Sequence, residues 1–199
     1  MVSKEEEIAG GNAPLISLAS VVSVLVALLL SGVKSWVWTI TGSLSVLASM
    51  VDSLLDGAAS LINMLAIRYS QKSADSEHPF GHGKAEYLAG LGQALFIAGS
   101  ALFIIVQALG RFIDPQPLGA TGFSIGVMVF AVFATAGLVI FQRQVVARTG
   151  SMAIKADSLH YASDLFTNLG TVLALVLAWM GWSGLDPFIA ILIALVVLF

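Results

Sequence analysis

Residues 51–60 read VDSLLDGAAS. Two carboxylates, Asp52 and Asp56, stand in a run otherwise made of Val, Leu, Ala, Ser and Gly. Their i, i+4 spacing puts them on one face of a helix. The apolar run extends in both directions, from about Gly42 to Tyr69. That exceeds the roughly 20 residues that cross a bilayer. The two acids therefore belong to a membrane-spanning helix, where an ionised side chain near the centre costs about 2.5–3.5 kcal/mol.

Five further runs flank this one, at about Pro14–Trp36, Glu86–Phe112, Thr121–Phe141, Asp157–Trp182 and Leu185–Phe199. The expected fold is an all-α membrane protein, a bundle of six transmembrane helices. The last run has only 15 residues. At 1.5 Å per residue it reaches about 22 Å, so the sixth helix is expected to be cut short. The whole composition agrees. The chain has 199 residues, 58% hydrophobic and 11% charged, against about 25% charged in a soluble domain. A net charge of −3 and the lack of a basic tract argue against a nucleic-acid partner. With no Cys, there is neither a disulfide frame nor a thiolate site, and any metal must be held by His and carboxylate. The polar N-terminus, MVSKEEEIAGGNAP, lacks the basic start of a cleavable signal.

Turn residues are expected to close the connections at Thr39–Gly42, Asp114–Pro117 and Ser183–Gly184. Trp36, Trp38, Trp179 and Trp182 fall at span ends, where aromatic belts lie. Lys4, Arg68, Lys72, Lys84, Arg143, Arg148 and Lys155 share one side of the bundle, against Lys34 and Arg111 on the other. The positive-inside rule then puts both termini in the cytoplasm.

The fifth run repeats the motif of the second. In ADSLHYASD, His160 and Asp164 are again i, i+4. No Lys or Arg lies well inside either run to balance these acids, so a divalent cation is the missing charge. One imidazole and three carboxylates suit Zn²⁺ and its neighbours, whereas an all-oxygen set would suit Mg²⁺, Ca²⁺ or Mn²⁺. Asp157, near the start of the fifth run, reads as an N-cap or a solvated group. Asn63 and Gln93 either bond across helices or line a water path. Gly90, Gly92, Ala94, Ala98 and Gly99 allow close helix approach, within the bundle rather than at a dimer seam. Lys84 and Glu86 read as interfacial charges bounding the third run.

A second cluster lies in the connection SADSEHPFGHGKAEYLAG, where Asp75, His78 and His82 are spaced i, i+3, i+7. Pro79, Gly81 and Gly83 preclude one regular helix, so the three are free to converge around a turn. Glu77 is an equivalent candidate to Asp75. Taken alone the signal is weak, because two His in a polar loop are more often solvated than bound to metal.

Taken together, VDSLLDGAASL, RYSQKSADSEHPFGHGKAEYLA, FQRQVVARTGS and KADSLHYASDLFTN resemble the cation diffusion facilitator family, and its bacterial YiiP-type zinc and ferrous-iron efflux members in particular. The resemblance runs from the first span into the sixth and implies a cation-efflux transmembrane domain at 1–199. It implies that Asp52, Asp56, His160 and Asp164 form an intramembrane transport site, and that Asp75, His78 and His82 form a loop zinc site. It further implies a homodimer in the bacterial inner membrane that exports Zn²⁺, Cd²⁺, Fe²⁺ or related ions in exchange for protons. Family members carry a cytoplasmic C-terminal domain that is not among these residues. The function expected is thus secondary active transport rather than enzyme catalysis. A passive metal channel and an intramembrane metalloenzyme are the alternatives. The second lacks an H-E-x-x-H motif.

Overall fold

The computed structural model describes residues 4–41, 44–113, 122–180 and 186–198. They form six helices and, among the described residues, no strand. The helices are α1 (Lys4–Thr41), α2 (Leu44–Ser70), α3 (Lys84–Ile113), α4 (Gly122–Thr149), α5 (Met152–Trp179) and α6 (Asp186–Leu198). Among the described residues, four stretches are long and apolar enough to cross a membrane: Asn12–Ile40, Ser49–Ser70, Lys84–Gly110 and Gly126–Thr149. Of the turn expected at Thr39–Gly42, Thr39 to Thr41 instead continue α1 and Gly42 lies outside the described residues, as do the expected turns at Asp114–Pro117 and Ser183–Gly184 and Trp182.

Large apolar side chains point outward along the spans. Leu25, Leu28, Ile62, Leu88, Leu95, Phe133 and Leu192 are all more than half exposed. Such an inverted surface suits lipid, whose tails are as apolar as Leu. The interior is correspondingly rich in small and polar residues. Ala19, Ser20, Ser23, Ser60, Asn63, Gln93 and Gln142 are all buried. The helices pack α1 on α2 and α4, α3 on α2, α5 and α6, and α5 on α4 and α6. Helices α2 and α5 meet only over a short stretch. That stretch carries the polar residues singled out above.

Three helices clearly outlast their apolar runs, α1 by starting at Lys4, ten residues before Pro14. α4 continues through the polar QRQVVART to Thr149, and α5 starts at Met152, five residues before Asp157. Gly150 (φ 68°) makes the tight joint. Its N–H closes α4 on the Val146 carbonyl at 2.8 Å. Ser151 then caps α5 by accepting from the Ile154 N–H at 3.3 Å, and its own hydroxyl donates to Glu86 Oε1 on α3. Glu86 also accepts from the Ala153 N–H at 3.4 Å. It is therefore an anchor for the positive end of α5 rather than a free interfacial charge.

Of the small residues on α3, Gly90 faces α5. A Cβ there would sit 3.6 Å from the Met152 carbonyl oxygen. Gly92 and Gly99 would meet nothing within 4 Å.

Candidate metal centres

The crossing of α2 and α5 brings Asp56 to His160. Asp56 Oδ1 lies 3.3 Å from His160 Nε2, and Asp164 Oδ2 lies 3.6 Å from the same nitrogen. One ligand atom from each residue lies within 4.8 Å of the other two. His160 is 2% exposed, and its ring is wedged edge-on against Phe96. His160 Nε2 and Asp164 Oδ2 are buried without a well-formed hydrogen bond. Polar atoms left this way are costly unless something else satisfies them. A tetrahedral ion with bonds of about 2.0–2.2 Å holds neighbouring ligand atoms about 3.3–3.6 Å apart. The two observed separations match the edges of such a polyhedron. A mixed nitrogen and oxygen set is borderline-soft, as Zn²⁺ prefers.

Asp52 departs from the sequence expectation in position. It lies one turn before Asp56 on α2, is exposed, and is outside this cluster. The structure thus brings together Asp56, His160 and Asp164, with Asp52 at the rim.

A cation docks on the helix that carries Asp52 and Asp56, from a helix that spacing within α2 and α5 could not reveal. Lys34 of α1 donates from Nζ to Ser53 Oγ at 2.6 Å and to the Ser49 carbonyl at 3.2 Å. Ser53 lies between Asp52 and Asp56 on α2.

Asp157 is neither a cap nor solvated. It is 0% exposed and is the centre of a hub joining five helices, α1 to α5. Gln93 Nε2 of α3 and Ser60 Oγ of α2 donate to its Oδ1, at 3.1 and 3.4 Å. Gln142 Nε2 of α4 donates to Oδ2 at 2.7 Å and also to Ser23 Oγ of α1 at 2.8 Å. Tyr161 shares a 2.7 Å hydrogen bond with Ser60. Asn63 donates to the Ala153 carbonyl at 3.3 Å. Both Asn63 and Gln93 therefore bond across helices. The sequence signal for the hub is Asp157 itself, three residues before His160. It was obscured because the apolar run starts later than the helix.

The loop cluster also converges. Asp75 Oδ1 lies 3.4 Å from His78 Nδ1, and Asp75 Oδ2 lies 3.4 Å from His82 Nε2. The turn explains the convergence. The N–H groups of His78 and Glu77 donate to Asp75 Oδ1 at 2.7 and 3.0 Å. Gly81 (φ 77°) reverses the chain and donates to the His78 carbonyl at 2.9 Å. The His82 carbonyl then accepts the first α3 bond, from Ala85. The His78 N–H foremost, with that of Glu77 and the two imidazoles, holds the Asp75 carboxyl below the usual range against the opposing effect of desolvation. His82 is 5% exposed, its ring packed on Tyr69, and its Nδ1 has no partner. Between Asp75 and Glu77, the geometry selects Asp75.

These two clusters on a six-helix membrane bundle define a class. Residues 20–199 match the cation efflux transmembrane domain, and the chain belongs to that family. Similar proteins include the cation-efflux pump FieF of Salmonella arizonae, 48% identical over 185 residues. The FieF proteins of Klebsiella pneumoniae and Salmonella choleraesuis are 46% and 48% identical over the same length. In each case the match covers 93% of this chain and 62% of the relative. The chain therefore spans less than two thirds of the length of these relatives.

Proposed function

We propose that this chain exports divalent transition-metal ions, Zn²⁺ foremost and Cd²⁺ or Fe²⁺ as alternative cargo, in exchange for protons. The observation that carries this proposal is the convergence of Asp56, His160 and Asp164 at the α2–α5 crossing, with buried ligand atoms that bond to nothing else. Asp52 is assigned as a fourth ligand, joining by a rotamer change or by movement along α2. Asp75, His78 and His82 are assigned as a loop zinc site.

An ion crossing 100 mV gains or loses about 2.3 kcal/mol per charge, hence about 4.6 for a divalent cation. Export against a negative interior therefore needs an opposing gradient. Protons supply it because metal and proton compete for the same lone pairs. His160 binds metal only when its Nε2 is unprotonated, which makes it the exchange point. The empty site loads from the cytoplasm, the helices rock, and protons from the outer side displace the ion. The excess of Lys and Arg at the ends of α2 and α4 and the starts of α3 and α5 supports cytoplasmic termini in a bacterial inner membrane. Homodimer assembly rests on the family resemblance.

Reconstituted vesicles test the proposal. Zn²⁺ flux should follow an imposed pH gradient, reverse when the gradient is reversed, and vanish in Asp56→Ala and His160→Ala. Flux indifferent to pH would defeat the coupling, and normal flux in both variants would defeat the site.

A further inference from the structure

With Asp52 joining Asp56 and Asp164 as assigned above, the transport site carries three carboxylates, and a divalent ion cancels only two of their charges. The third is left over within the span of α2, where an unpaired charge is costly. A cationic side chain is fixed to the same helix. Lys34 is half-buried in α1, and its Nζ is fixed by two hydrogen bonds to α2, at Ser53 Oγ and the Ser49 carbonyl. A solvated lysine keeps its ammonium in water or at the headgroups. This one turns inward, onto the turn that carries Asp52 and Asp56. Ser53 follows Asp52 directly and Ser49 stands three residues before it, so the two tether points bracket Asp52 on α2.

We propose that Lys34 is the tethered counter-cation of the membrane metal site, balancing its third carboxylate and holding metal affinity low enough for release. This rests on the transport-site assignment above. A carrier must bind its ion well enough to load and weakly enough to let it leave. A fixed positive charge beside a divalent ion weakens binding without occupying a coordination position, and like charges repel strongly at short range in a medium of low dielectric. The location suits release. Ser49 and Ser53 lie toward the start of α2, at the end of the helix away from the α2–α3 loop. In the proposed orientation, that is the exit side.

The two roles open to Lys34 predict opposite signs. If it only clamps α1 to α2, removing it loosens the site and weakens metal binding. If it is a counter-cation, removing its charge tightens binding. The experiment is Zn²⁺ and Cd²⁺ calorimetry on the full chain in lipid nanodiscs at about pH 8, where protons compete least. A His78→Ala background removes a loop ligand so that only the membrane site titrates. Lys34→Gln, which keeps the hydrogen bonds and loses the charge, is expected to bind about tenfold more tightly and to export more slowly. Lys34→Arg is expected to stay within about threefold of the background. Ser53→Ala, which changes no charge, should also stay within about threefold. Lys34→Met replaces the glutamine if that variant does not fold.

Unchanged or weaker binding in the neutral variant overturns the proposal, as does equal tightening by arginine. A tenfold loss in Ser53→Ala would likewise overturn it in favour of the clamp. A background protein that binds no metal while Lys34 is intact would instead overturn the transport-site assignment, so the two failures are distinguishable.

Discussion

His160 and His82 share an arrangement. Each is nearly buried, rests against an aromatic ring, and directs Nε2 at an aspartate oxygen 3.3–3.4 Å away. At His160 the partners come from two helices, so the geometry depends on how α2 and α5 cross. At His82 they come from one turn, so it depends on local backbone. Replacing His160 by Asp should shift metal preference toward harder ions such as Mn²⁺, because an all-oxygen set favours them. Competition binding of Zn²⁺ against Mn²⁺ checks this, and an unchanged profile would contradict it. Asp75 offers a pH test. Its folded-state pKa is depressed, so its contribution to loop order is full above the ordinary carboxylate pKa of about 3.9. That contribution is lost as pH falls through the lower, folded value. Protection of the His78 and Glu77 amides, corrected for intrinsic exchange, should hold from pH 7 to 5 and fall below about pH 4. The ligand types were legible in the sequence because i, i+4 spacing fixes a face. Lys34 was not legible as their neighbour, because only the packing of α1 on α2 brings residues 34 and 53 together.

The end of an apolar run marks the end of a helix only where the helix stays in lipid, and several helices here outlast their lipid-facing part. α1 begins at Lys4 and carries Pro14 within it, and α4 and α5 are nearly continuous across Gly150–Ser151. Asp157 shows the consequence: its place near the start of an apolar run reads as a cap or a solvated group, whereas the folded chain makes it the point where α5 is tied to α2, α3 and α4. Removing it strands the amides of Gln93 and Gln142 without an acceptor. Asp157→Ala should therefore destabilise the bundle by about 3 kcal/mol, near the upper end for orphaned buried donors. Asp157→Asn, which keeps an acceptor oxygen, should cost less than half of that. Unfolding in detergent against a denaturant series measures both. Equal, small losses would show that the hub adds little. Gly90 makes a second test, since α3 and α5 approach closely there. Gly90→Leu should separate them and cost about 1–3 kcal/mol by overpacking, whereas Gly92→Leu, with open space, should be neutral.

Across the whole molecule, the two candidate centres are not equivalent with respect to the bilayer. The loop cluster lies where α2 ends and α3 begins, among Arg68, Lys72 and Lys84. The α2–α5 cluster lies within the helices, three to four turns from that end of α2. A Lys/Arg bias of this kind orients membrane proteins because basic loops resist translocation. It follows that the loop cluster should meet cytoplasmic metal first and that Lys34 should lie toward the outer leaflet. The absence of Cys makes this directly measurable, because any thiol signal comes from the residue introduced. Glu77 in the loop and Thr39 near the end of α1 are both exposed. In spheroplasts, Thr39→Cys should react with a membrane-impermeant maleimide, and Glu77→Cys should react only after the membrane is broken. The reverse pattern would turn the bundle over, and the same proton-coupled chemistry would then import metal rather than expel it.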